Sequence, residues 1–163
     1  NIATQDPNNS SLTVLVGEQS AKGIEMGVGL QATRQWAVQG NLSHVDAQYE
    51  QFVQSGVSLA GKQPTNTPRT VVNLWTSYAF TPALEASVGV RRVGQVYADA
   101  ANTQRWPAYT LVDLGLSYQI NRNTQLTARL RNATDKVYAA SARSTMVYLG
   151  APRTADVALR MTF

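Results

Sequence analysis

The chain has 163 residues, which fits one domain or one slice of a larger domain and excludes two large ones. Hydrophobic residues make up 44% and charged residues 15%, against ~25% charged in an average soluble domain, so the chain should fold and part of its surface need not be charged. The net charge is +4, but the cations are scattered singly apart from Arg91-Arg92, which argues against the basic stripe of a nucleic-acid binder, and the absence of cysteine removes disulfides, thiolate metal sites and cysteine nucleophiles.

In chain order, Leu12 to Val16 reads as a weak strand, or as an upward extension of the next one across Gly17. From Ile24 the chain alternates with a period of two, the mark of a strand with one apolar and one polar face. Ile24, Met26, Val28 and Leu30 oppose Glu25, Gly27, Gly29 and Gln31. Trp36, Val38, Gly40 and Leu42 oppose Gln39, Asn41 and Ser43. Val72, Leu74, Thr76, Tyr78 and Phe80 oppose Asn73, Trp75, Ser77 and Ala79, and Leu84, Ala86, Val88 and Val90 oppose Glu85, Ser87, Gly89 and Arg91. Val112, Leu114, Leu116, Tyr118 and Ile120 oppose Asp113, Gly115, Ser117 and Gln119. The run from Gln125 to Arg131 alternates without a fault, and Ala155, Val157, Leu159, Met161 and Phe163 oppose Thr154, Asp156, Ala158, Arg160 and Thr162. The pattern predicts seven to eight strands and essentially no helix, because no 3.6-residue stripe is sustained.

Short and long links alternate. Thr33-Arg34-Gln35, Thr81-Pro82-Ala83 and Asn121-Arg122-Asn123 are tight turns, whereas Gln48 to Pro68, Tyr97 to Pro107 and Thr134 to Pro152 are long links. An antiparallel meander with one trimmed and one elaborate end is the arrangement of an outer-membrane barrel. Aromatic residues sort the same way, with Trp36, Tyr78, Phe80, Tyr118 and Phe163 near the tight turns and Tyr49, Tyr97, Trp106, Tyr109, Tyr138 and Tyr148 near the long links. Two such bands fit two membrane interfaces. The competing reading is a soluble lipocalin-like ligand-binding barrel with the apolar face turned inward, which periodicity alone does not exclude. No run approaches the ~18 apolar residues of a spanning helix, and the amino terminus lacks the pattern of a signal peptide, as expected of a cytosolic chain or of one whose start was removed.

Catalysis finds little support. His44 is the single histidine and falls on the apolar phase near a long link, no Gly-x-Ser-x-Gly elbow supplies a nucleophile, and Gly27-Val28-Gly29 lies inside a strand rather than at a phosphate loop. No carboxylates or imidazoles sit at metal-ligand spacing, so neither a cofactor nor a metal held by this chain is expected.

Asn132-Ala133-Thr134-Asp135-Lys136-Val137-Tyr138, then Gly150-Ala151-Pro152-Arg153 and an alternating strand ending on Phe163, resemble the closing segment of TonB-dependent ferric-siderophore receptors. Lys22-Gly23-Ile24-Glu25, the run Pro68 to Tyr78, Arg91-Arg92-Val93-Gly94 with Tyr97-Ala98-Asp99, and Pro107 to Asp113 match the family in the same order, over about residues 20 to 163. The resemblance implies an all-β slice of a 22-stranded outer-membrane barrel, with residues 1–163 as its carboxy-terminal portion and the plug, the TonB-contacting segment and the earlier strands lying outside it. It implies a receptor of a Gram-negative outer membrane, not an enzyme, that binds a ferric siderophore in an extracellular vestibule and imports it with energy from the TonB complex. Glu25, Glu85, Arg91, Asp113, Arg129, Arg131, Asp156 and Arg160 would line the lumen, most of them paired across adjacent strands. Tyr97, Arg105, Trp106, Tyr138, Arg143 and Tyr148 are the vestibule candidates, since rings and guanidiniums suit siderophores, although interface anchoring explains the rings equally well. Phe163 resembles the signal read by the barrel assembly machinery. Arg92 departs from the family, which often has an aromatic residue there, and is expected at the loop-side interface with outer-membrane lipid.

Overall fold

A computed structural model describes residues 2–6 and 8–163. The strands in chain order are β1 (Ile2–Asp6), β2 (Asn9–Gln31), β3 (Trp36–Gln51), β4 (Val53–Gln54), β5 (Val57–Ser58), β6 (Thr70–Ala79) and β7 (Leu84–Val93). They continue with β8 (Val96–Tyr97), β9 (Arg105–Trp106), β10 (Tyr109–Asn121), β11 (Thr124–Arg131), β12 (Ala139–Arg143), β13 (Met146–Leu149) and β14 (Thr154–Met161). Eight of them form one antiparallel sheet in the order β1-β2-β3-β6-β7-β10-β11-β14, and the other six pair into three short hairpins, β4–β5, β8–β9 and β12–β13. Every sheet strand pairs with its neighbour in sequence, so the sheet is a plain meander, and β1 and β14 are its two edges.

Local chemistry sets the tight turns. The hydroxyl of Thr33 accepts from the N–H groups of Gln35 and Trp36 at 3.2 and 3.1 Å, and that of Thr81 accepts from Ala83 and Leu84 at 3.2 and 3.0 Å. Asn121 does the same for the N–H of Asn123 at 2.9 Å. Each short polar side chain replaces a backbone acceptor, which lets the chain reverse within a few residues.

The long links are more ordered than their composition suggests. β3 runs on to Gln51, with Val45, Ala47 and Tyr49 on the face opposite Trp36, Val38 and Leu42, and each long link contains one of the three hairpins. The Leu12–Val16 stretch is the upper part of β2, and β1 pairs with it from Ile2 opposite Gly17 to Asp6 opposite Asn9. The mostly polar β1 carries no apolar stripe, so alternation does not reveal it.

The two faces follow the sequence phases. Across β7, β10 and β11, Val88 lies opposite Leu114 and Leu114 opposite Leu130, while Glu85 opposes Ser117 on the other face. Ile24, Leu30, Leu74, Leu114, Leu116, Val157 and Leu159 are all exposed, with Val157 at 71%. Among the described residues, the apolar ones that are buried, Ala47, Tyr49, Leu59, Val93, Ala98 and Ala142, lie at or near the long-loop edge. The sheet has no sealed interior of its own, which is the opposite of a lipocalin-like barrel. Its apolar face leaves large side chains exposed on strand after strand, from Ile24 and Leu30 to Val157 and Leu159, so that face is built for another apolar medium.

Arg92 stands on this apolar face, two residues beyond Val90 toward the long links, and its Nη1 donates to Thr110 Oγ1 at 3.2 Å. His44 shares the face, with its Nδ1 2.8 Å from Thr70 Oγ1.

Candidate functional site

At the long-loop edge, links from distant parts of the chain are tied into one body. Asn66 acts as a surrogate backbone unit: its Nδ2 donates to the carbonyl of Ala142 and its Oδ1 accepts from the Ala142 N–H, both at 2.8 Å. Asn102 makes the same two-way contact with the backbone of Gln63, again at 2.8 Å each way. The N–H of Asn66 reaches the carbonyl of Tyr97 at 3.0 Å, and that of Ser144 reaches Ala98 at 3.0 Å. Asn66 and Asn102 both have positive φ, 54° and 59°, a conformation that asparagine tolerates better than most residues. Ala142 is fully buried beneath the clamp.

Hairpins place the six vestibule candidates in two groups. β8 and β9 bring Tyr97 opposite Arg105 and Val96 opposite Trp106. Arg143 and Tyr148 stand on β12 and β13, opposite Met146 and Ser141 respectively. Tyr138 lies between Tyr109, at a ring-centroid distance of 4.4 Å, and Gly150, whose missing side chain leaves room for the ring. Tyr138 therefore packs as a structural ring that pins the base of the last link. Of the six, Arg143 is the one that lines an open recess of about 640 Å³ at this edge, together with Tyr49, Phe52, Leu59, Asp99 and Ser144.

Alternation along the chain gives no sign of Phe52, whose ring stacks on Tyr49 at 4.5 Å and 18°, or of the two asparagine clamps. Asn-Thr-Pro at residues 66–68 was the available signal, because an asparagine in a long link suits positive φ. Asp99 organises the rim. Desolvation pushes its carboxyl up, but hydrogen bonds from the N–H groups of Gln104 and Thr103 and from the Thr103 hydroxyl outweigh it and hold the carboxyl below the usual range.

The polar face of the sheet forms a second surface. Asn73 Nδ2 donates to Asn41 Oδ1 at 2.8 Å, and Glu25 accepts from Ser43 at 3.4 Å. Trp75 lies across Gly89, where a built Cβ would stand 2.5 Å from the indole. Arg131 pairs with Asp156 at 3.4 Å, and among the described residues it is the one lumen-phase ion pair. The expected cross-strand pairing thus holds for that pair, while Arg91, Arg129, Arg160, Glu25 and Glu85, on the same face, have no ionic partner among the described residues.

One face apolar and bare, one face polar and charged, and a built rim at one end define a wall rather than a self-contained domain. Residues 1–133 match the family model described as TonB dependent receptor-like, beta-barrel. The chain belongs to the TonB-dependent receptor β-barrel family. Among its relatives, the probable TonB-dependent siderophore receptor PiuA of Acinetobacter baumannii is 30% identical over 76% of this chain and 18% of its own length. The ferrioxamine B receptor of Salmonella typhimurium is 31% identical over 94% of this chain and 22% of its own. In structure, PiuA from A. baumannii superposes with a TM-score of 0.85 at 27% identity over 98% of this chain and 24% of that one. BauA, the ferric preacinetobactin receptor of the same species, gives 0.84 at 26% identity over 98% and 25%. The chain spans about a quarter or less of the length of these TonB-dependent receptors.

Proposed function

We propose that this chain is the carboxy-terminal part of the barrel wall of an outer-membrane receptor that binds a ferric siderophore and imports it, energised by the TonB complex through a segment outside these residues. The two-faced sheet carries this reading. Its apolar face suits acyl chains, its polar face suits a water-accessible lumen, and its rim suits a vestibule. The names of the relatives, siderophore and ferrioxamine B receptors, support the ligand class. The task requires no bond to be made or broken, and iron arrives already chelated, so the protein's part is recognition and passage.

Within the vestibule, Arg143 is favoured as a ligand contact because it borders the recess beside the Tyr49–Phe52 stack, with Tyr97, Arg105, Trp106 and Tyr148 on the flanking hairpins. Tyr138 supports the link instead. Phe163 fits the terminal signal read by the barrel assembly machinery, since its ring is fully exposed beyond β14.

Growth tests this reading. A Gram-negative host lacking its own siderophore receptors, given the full receptor gene that includes these residues, should take up radiolabelled ferric hydroxamate or catecholate chelates only when TonB is present. Uptake that ignores the receptor, or that persists without TonB, overturns it.

A further inference from the structure

We propose that the apolar face of β7, β10, β11 and β14 holds one anionic membrane lipid, its phosphate on Arg92 and Thr110 and one acyl chain in the groove below. The inference rests on the reading above that this face meets the bilayer. Two separate observations point to it. The first is the cation. Arg92 is exposed on the mostly apolar face, between Val72 and Thr110 in the sheet register, and among the described residues its guanidinium makes one hydrogen bond, to Thr110 Oγ1. A guanidinium has five donors, so four N–H groups are left without a protein acceptor among the described residues. Asp46, a carboxylate on the same face, is already paired with Arg69 at 3.1 Å. A planar fork with free donors beside a hydroxyl is the arrangement that takes up a phosphate oxygen pair.

The second observation is the groove. Ala86, Leu116, Ala128 and Val157 lie in one register row across the four strands, and Val88, Leu114, Leu130 and Ala155 in the next. Alanine on both sides of Leu116 leaves a valley of about 460 Å³ whose walls are almost wholly apolar. A flat lipid-facing sheet of leucine and valine would not form this valley. Val88 lies four residues below Arg92 on the same face of β7, about 14 Å at ~3.4 Å per residue. A lipid whose phosphate sits at Arg92 therefore has its acyl chain at the groove's depth. Charge complementarity selects a net-anionic head over a zwitterionic one, because among the described residues no carboxylate pairs with Arg92.

The full receptor in detergent, titrated with dioleoylphosphatidylglycerol and with dioleoylphosphatidylcholine, tests the site by native mass spectrometry. The wild type should retain one phosphatidylglycerol about fivefold more than phosphatidylcholine, the size expected for one basic residue near an anionic surface. Arg92→Gln should bring that ratio near unity, Arg92→Lys should keep most of it, and Ala128→Phe should lower retention of both lipids by filling the groove. A wild type without preference, or an Arg92→Gln receptor that keeps it, overturns the site. Quenching of tryptophan fluorescence by dibrominated acyl chains separates the two failures. No quenching in the wild type overturns the membrane-facing reading itself, whereas quenching without headgroup preference overturns only the lipid site.

Discussion

The backbone N–H of Asn132 donates to Asp113 Oδ1 at 2.7 Å, joining the end of β11 to the polar face of β10. Asn132 in turn holds both sides of the last long link. Its Nδ2 donates to the carbonyls of Lys136 and Ala151 at 2.9 and 3.1 Å, and its Oδ1 accepts from the Lys136 N–H at 2.8 Å. A charge-assisted bond to a carboxylate thus anchors a residue that is only 4% exposed and has φ of 49°. Asp113→Ala should cost about 1–3 kcal/mol, the penalty of leaving a buried N–H unpaired, whereas Asp113→Asn should cost less. Urea unfolding of the full receptor in vesicles measures the difference.

Outward and lumen positions should respond to charge in opposite ways. Leu114→Arg at mid-strand on the apolar face should cost ~2–4 kcal/mol, and Ser117→Arg on the polar face should cost little. Heat-modifiable gel mobility of the receptor folded into vesicles reads both. Equal effects at the two positions contradict the orientation of the sheet.

The asparagine clamps should control the rim without controlling the barrel. Asn66→Ala removes both hydrogen bonds to Ala142, and Asn102→Ala removes both to Gln63. At about 1 kcal/mol net for each bond lost, either change should open the links to limited proteolysis while the thermal midpoint of the barrel stays put.

Acid should loosen the same rim. The Asp99 carboxyl is held below its ordinary value, so its hydrogen bonds add stability above the usual carboxylate range, and that stability is lost as pH falls through the depressed folded value. Hydrogen exchange at Thr103 and Gln104 should therefore accelerate below about pH 4 relative to neighbouring amides, and Asp99→Asn should abolish the pH dependence.

Removing Phe163 should lower the amount of receptor reaching the outer membrane without lowering the stability of the molecules that arrive. Its ring is exposed beyond β14, so little packing is lost. Immunoblots of fractionated membranes measure the first effect and thermal unfolding the second. Unchanged outer-membrane levels would remove the assembly role.

By itself the sequence determined the sheet and its faces. A period of two is a local property, and a residue such as Leu116 declares its side through Gly115 and Ser117 alone. Tight turns were equally legible, since Thr33, Thr81 and Asn121 act on amides two or three residues away. β1 and the three small hairpins carry no apolar stripe, and pattern gave them no signal. The rim was decided by tertiary structure. Asn66 meets Ala142 across 76 residues, and Asn102 meets Gln63 across 39, through backbone groups that every residue possesses. Such contacts depend on where the meander sets its loop ends side by side, and no spacing along the chain encodes that. The groove beneath Arg92 has the same origin: Ala86 and Ala128 are unremarkable in sequence, and they become a valley only when the register puts them on either side of Leu116.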